Sequence, residues 1–187
     1  MVIAPINMQI NYDWQPLLDK FQYMESLLSK KSPSELKFNF GSSGCFVFLD
    51  DLTKTPRTTG VLHGKMIEQF LKDWIENFKN DLMPLKVGGL GIQKNTEDLL
   101  THVDVIPGID NHCKLNYIIT DGNGITYVEN DTAIEQYPTV KNTAWLIDTT
   151  KEHWVKNSQE RYVFQIVFHN SFNEVLEHLK SCNLIYN

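Results

Sequence analysis

The sequence predicts a mainly β domain, a sandwich or barrel, with helices packed against it. Three observations predict it. Apolar residues recur at helical spacing near both ends of the chain. From about residue 85 onward, short extended runs alternate with turn clusters. The last of those runs, Arg161–Phe168, is apolar on both faces, as a strand covered from both sides must be.

The elements follow in order. A first helix opens at Asp13, an N-cap residue, with Pro16 in the first turn where its missing N–H costs nothing. Leu17, Phe21, Met24 and Leu28 continue its apolar spacing. Residues 36–49 read as extended, with Gly41-Ser42-Ser43-Gly44 as a turn between two short strands. A second helix is expected over 67–78, where Ile67, Phe70, Leu71, Trp74, Ile75 and Phe78 form one apolar face. It ends near Asn80, ahead of Pro84.

Strands are then expected over 89–93, Leu99–His102, 114–120, 125–128, Ala144–Ile147 and Arg161–Phe168. Asp121-Gly122-Asn123-Gly124 reads as a hairpin turn, because Asn and Gly accept positive φ. In Arg161–Phe168, Val163 and Val167 point one way and Phe164, Ile166 and Phe168 the other. Ser171 and Glu174 form a capping-box pair ahead of a final helix whose apolar stripe is Val175, Leu176 and Leu179.

The chain of 187 residues fits one domain, with 1–84 a helical and extended part packing on the barrel, 85–170 the β core and 171–187 a C-terminal helix. Hydrophobic residues at 42% against 21% charged exclude a disordered chain. A formal charge of −6 argues against non-specific nucleic-acid binding, and obliges any anionic small molecule to find a local cation. Cys45, Cys113 and Cys182 are odd in number and form no CxxC pair, which suits a reducing cytosol. The start of the chain lacks a charged segment followed by a long apolar run, and no stretch reaches the roughly 20 apolar residues of a membrane span. A cytoplasmic protein without membrane partners is expected.

The chemistry concentrates in four residues. His102-Val103-Asp104 ends a predicted strand, and residues two apart in a strand share a side, so both side chains reach one metal ion. Imidazole and carboxylate suit a divalent first-row metal, and His153, following the Ala144–Ile147 strand and its turn, supplies a third ligand. Two histidines and one carboxylate on one face of a metal leave open positions, the arrangement of non-haem iron oxygenases. Arg161 opens the doubly covered strand shortly after His153. A buried guanidinium needs an anion, and it matches a carboxylate through two parallel hydrogen bonds.

These motifs run in order: His102-Val103-Asp104, then 113–119, then Leu146-Ile147-Asp148-Thr149 leading to His153-Trp154-Val155-Lys156-Asn157 and Arg161-Tyr162-Val163-Phe164. Over residues 85–168 the series resembles the aspartyl/asparaginyl β-hydroxylase-like branch of the Fe(II)/2-oxoglutarate oxygenases, in its short bacterial and phage form. The resemblance implies a double-stranded β-helix, a cupin-like jelly roll. It implies Fe(II) on His102, Asp104 and His153, with 2-oxoglutarate as co-substrate and its C5 carboxylate on Arg161. It further implies Asn116 as a co-substrate contact. O2 would be consumed, succinate and CO2 released, and a small-molecule or peptidyl substrate hydroxylated. Some family members carry a basic co-substrate contact soon after the HxD motif; His112 and Lys114 are the nearest candidates here.

Other features carry blander readings. Gly88-Gly89-Leu90-Gly91 lacks the spacing of a phosphate loop and reads as a turn. Cys45 has no flanking nucleophile signature. His63, His169 and His178 lack partners at ligand spacing and are assigned surface or capping roles. Glu25, Glu68 and Glu76 fall on polar helix faces. Trp145 and Trp154 flank the His153 region, with packing the favoured role. The competing function is a non-catalytic acidic binding or immunity-type protein on a jelly-roll scaffold.

Overall fold

In the computed structural model, the described residues are 1–10, 12–16, 18, 19, 22, 42–48, 57–60, 82, 84–95, 98–156 and 159–185. The helix expected over 67–78 and His63 lie outside them, as do most of the first helix and the side chain of Cys45.

Among the described residues, eleven strands form two antiparallel sheets: β1 (Ile3–Ile6), β2 (Ser42–Phe48), β3 (Arg57–Gly60), β4 (Val87–Asn95), β5 (Leu99–His102), β6 (Cys113–Ile118), β7 (Ile125–Glu129), β8 (Ile134–Pro138), β9 (Ala144–Ile147), β10 (His153–Lys156) and β11 (Arg161–Phe168). The larger sheet runs β1-β9-β6-β11-β4-β2-β3, and the smaller runs β5-β10-β7-β8. The chain crosses repeatedly between the two sheets, giving the double-stranded β-helix architecture.

β11 is the central element. It pairs with β4 on one side and β6 on the other, and nearly all of it is buried. Tyr162, Phe164, Ile166 and Phe168 join Leu115, Tyr117, Ala144 and Leu146 in a core on the outer face of the large sheet. Trp14, just ahead of the helical residues that begin at Gln15, and Leu18 within them close that core, as do Phe172, Val175, Leu176 and Leu179 of the helix Phe172–Ser181. Each fully buried aliphatic or aromatic side chain there contributes about 1.5–3 kcal/mol. The capping box is as expected: Glu174 N–H donates to Ser171 Oγ, and the Ser171 N–H to Glu174 Oε2. Between the sheets, Val2, Ile3 and Ile147 of the large sheet's edge meet Val128 and Tyr137 of the small one, closing one end of the barrel.

Three expectations are corrected. Asp121–Gly124 is not a hairpin turn, because β6 and β7 lie in different sheets. Its turn chemistry is right (Asn123 has φ 46°), but the turn hands the chain from one sheet to the other. Ser42-Ser43-Gly44 lies within β2, paired to β4, and Gly88–Gly91 within β4, so the strand expected over 89–93 is present and the turn reading of these glycines is not: Gly89 and Gly91 pair with both β11 and β2, and the ladder overrides the weak strand propensity of Gly and Ser. β1, β8 and β10 had no clear signal. Each is only four or five residues, and β1 and β8 are edge strands that hold a proline.

Gly122 makes room for Arg161: a Cβ there would lie 2.6 Å from Arg161 Cδ and 2.8 Å from its Cβ. Gly122→Ala is expected to cost about 1–3 kcal/mol by overpacking, read as a lowered urea midpoint at unchanged slope.

Candidate metal centre

His102 and His153 are direct cross-strand partners on β5 and β10, so their side chains leave the small sheet on the same face. Their ring centroids are 4.2 Å apart. The same local device orients both. His102 Nδ1 lies 2.7 Å from Leu100 O, and His153 Nδ1 lies 3.0 Å from Lys151 O, each a carbonyl two residues back. A carbonyl only accepts, so Nδ1 donates its hydrogen and Nε2 keeps its lone pair for a ligand.

Asp104 follows β5. Its backbone N–H donates to Thr149 O at 3.1 Å, tying it to the turn that leads into His153. Thr149 is itself held by buried His112, whose Nδ1 lies 2.9 Å from the Thr149 hydroxyl. The ligand atoms of His102, Asp104 and His153 all lie within 4.8 Å of one another, the spacing of groups that share one ion.

Lys114 Nζ sits 2.6 Å from Asp104 Oδ2, while Asp104 Oδ1 lies 3.9 Å from His102 Nε2. Burial raises the Asp104 carboxyl, but the Lys114 ammonium and then the two imidazoles outweigh it and hold it below its ordinary value. Burial also lowers the His153 imidazole, against the pull of Lys151 O and Asp104. Both shifts favour the forms that bind a cation, a carboxylate and a neutral imidazole.

The triad forms part of the wall of a cavity of about 280 Å³ between the sheets. Arg161, 2% exposed, lines the same cavity, with Gln165 on its own strand and Asn116 opposite Gln165 on β6. Burial lowers Arg161 from its ordinary value, opposed by Tyr137 and Asp98, yet a guanidinium keeps its charge. Asn116 Nδ2 donates to the Tyr137 hydroxyl at 3.1 Å, and Gln165 Nε2 to Asn116 Oδ1 at 3.0 Å. Asn95 Oδ1 and Gln165 Oε1, both on residues lining the cavity, are buried and have no hydrogen-bond partner among the described residues. A space walled this way suits a polar occupant.

The structure therefore brings together His102, Asp104, His153, Arg161 and Asn116. It adds what sequence reasoning left open or missed. Lys114 reaches Asp104, whereas His112 faces Thr149. Gln165 and Tyr137 line the cavity through strand alternation, which was readable for Gln165 once Arg161 was placed on the inner face. Trp145 and Trp154 pack against Tyr137 and Tyr127 and do not line this cavity. Among the described residues no helix is long and apolar enough to cross a membrane.

No protein-family model matches the chain, and no curated protein sequence matches it. Solved structures do. A 2OG-Fe(II) oxygenase family oxidoreductase from Burkholderia pseudomallei superposes with TM-score 0.50 at 13% identity, covering 80% of this chain and 78% of that one. A prolyl hydroxylase from Trichoplax adhaerens, solved with a peptide of hypoxia inducible factor, gives 0.51 at 9% identity over 89% and 82%. A Pseudomonas putida prolyl-4-hydroxylase gives 0.50 at 11% identity over 83% and 85%. At such identities the likeness establishes the fold, the double-stranded β-helix of these oxygenases.

Removing the Lys114 ammonium leaves Asp104 a largely buried charge. Lys114→Met is expected to cost about 2 kcal/mol at pH 7 in the metal-free protein. The folded-state pKa of Asp104 is depressed below 3.8, so the pair's stabilisation is present above that pH and fades as pH falls through the folded value. Urea unfolding between pH 7 and pH 3 should show the gap between variant and wild type closing at the acid end.

Proposed function

We propose that this chain is an Fe(II)- and 2-oxoglutarate-dependent dioxygenase, a single catalytic domain that hydroxylates an amino acid, a peptidyl side chain or a small metabolite. One observation carries the reading. Two imidazoles and a carboxylate come within 4.8 Å of one another in the wall of a cavity that also takes in a buried guanidinium. The fold's neighbours support it: their names describe 2OG-Fe(II) oxygenases and prolyl hydroxylases. The ordered motifs over residues 85–168 favour the aspartyl/asparaginyl β-hydroxylase-like branch.

The residues fit the group. His102 and His153 offer Nε2 and Asp104 offers Oδ1, a hard and borderline donor set suited to Fe(II). The chemistry supplied by iron bound there is O2 activation, coupled to oxidative decarboxylation of 2-oxoglutarate to succinate and CO2 and to hydroxylation of a C–H bond. The chain's own residues do the rest. Arg161 binds the far carboxylate of the co-substrate through its planar fork. Asn116, locked between Tyr137 and Gln165, presents a fixed polar edge beside it. Lys114 occupies one oxygen of Asp104 and leaves the other for the ion. The apolar layer outside β11 keeps water from that side of the cavity. The free thiols of Cys113 and Cys182 accord with a cytoplasmic setting.

Two measurements test the reading. Anaerobic addition of Fe(II) and then 2-oxoglutarate should produce a visible metal-to-ligand charge-transfer band in wild type and none in His102→Ala. A well-folded wild-type protein without the band would favour the acidic binding protein instead. Arg161→Gln should raise the 2-oxoglutarate KM about 100-fold, the scale of a lost charge-assisted pair, while leaving Fe(II) affinity within about threefold.

A further inference from the structure

A second cavity, of about 360 Å³, lies on the other side of the Asp104–Lys114 pair. Asp104 and Lys114 line both spaces. The remaining described lining is Gly88, Val105, Ile106, Pro107, Val167 and His169. Strand alternation explains the division. Arg161, Val163, Gln165 and Val167 share the inner face of β11, and Val167 pairs across with Lys114 of β6. The polar end of that face, with Arg161 and Gln165, belongs to the first cavity, and the apolar end, with Val167, to the second.

Resting on the oxygenase reading, we infer that this second cavity receives the substrate to be oxidised, and that it selects a neutral aliphatic group. Asp104, one of the proposed metal ligands, forms part of its wall, so an occupant would lie against a residue that holds the metal. Its walls are a proline, two valines and an isoleucine. Val105, in its lining, is 82% exposed, an apolar surface that a ligand would cover. The cation in the wall, Lys114, is engaged by Asp104 at 2.6 Å, so a carboxylate entering here would compete for a partner already taken. An anion has Arg161 on the far side instead. The polar point of recognition is His169, which burial keeps below its ordinary pKa and hence neutral at pH 7. Gly88 sets that ring's place: a Cβ on it would fall 1.9 Å from His169 Nε2.

Methyl-labelled protein titrated with N-acetyl-leucinamide, free leucine and N-acetyl-aspartate tests the inference. N-acetyl-leucinamide should shift the Val105, Ile106 and Val167 methyl resonances saturably, and N-acetyl-aspartate should not. Val105→Asp, at an exposed site that tolerates charge, should weaken leucinamide binding at least tenfold. Gly88→Ala should do the same by displacing His169. Free leucine binding as tightly as the capped form supports a free amino acid as the source of the aliphatic group; weaker binding supports a peptide. Absence of shifts at those methyls, equal binding of N-acetyl-aspartate, or an unaffected Val105→Asp overturns the inference. Titrating 2-oxoglutarate into the metal-loaded samples separates the two claims. Failure there, with leucinamide still bound, counts against the oxygenase reading alone; success there without leucinamide binding sinks this inference alone.

Discussion

The site depends on one cross-strand register. His153 of β10 stands opposite His102 of β5, and that pairing puts two imidazoles on the same face of the small sheet. Side chains alternate along a strand, so a slip of one residue would turn one histidine away from the other. The register is defended on the other flank, where four residues of β10 pair in order with β7. Asp104 is then tied in through the Thr149 carbonyl, so carboxylate and second histidine are set by the same turn.

The large sheet answers with β11. Its two faces divide the labour: the outer aromatic and aliphatic face binds the helices, and the inner face carries Arg161, Val163, Gln165 and Val167 toward the cavities. A strand in this position must bury its charge, and burying Arg161 is tolerable only in a polar setting. Gly122, Asn116 and Tyr137 provide part of that setting, one by absence of a side chain and two by hydrogen bonding to each other.

Much of this was legible in the sequence because it rests on short-range periodicity. Leu99–His102, Ala144–Ile147 and Arg161–Phe168 fall where alternation and apolar content place them, and the capping box marks the last helix to the residue. The convergence of the four candidate site residues was legible for the same reason: His102 and Asp104 are two apart, and Arg161 opens a strand apolar on both faces. What could not be read is long-range. Nothing local says that Asp121–Gly124 joins strands of different sheets, or which of the two readings of the glycine-rich stretch, turn over 88–91 or strand over 89–93, prevails; pairing with both β11 and β2 settles it as strand. Lys114 and His112 were equally good candidates by position. What separates them is that β6 begins at Cys113: Lys114 lies within the strand and lines the cavity, whereas His112 precedes it and turns to Thr149.

The central claim is that His102 and Asp104, two residues apart, and His153, far along the chain, hold one metal ion. Anomalous diffraction at the iron edge, from crystals grown anaerobically with Fe(II), tests it most directly. The account predicts a single strong peak within coordination distance of His102 Nε2, Asp104 and His153 Nε2, about 2.0–2.2 Å for the nitrogens. Fully liganded crystals with no peak between these residues, or a peak bound elsewhere on the chain, would contradict it.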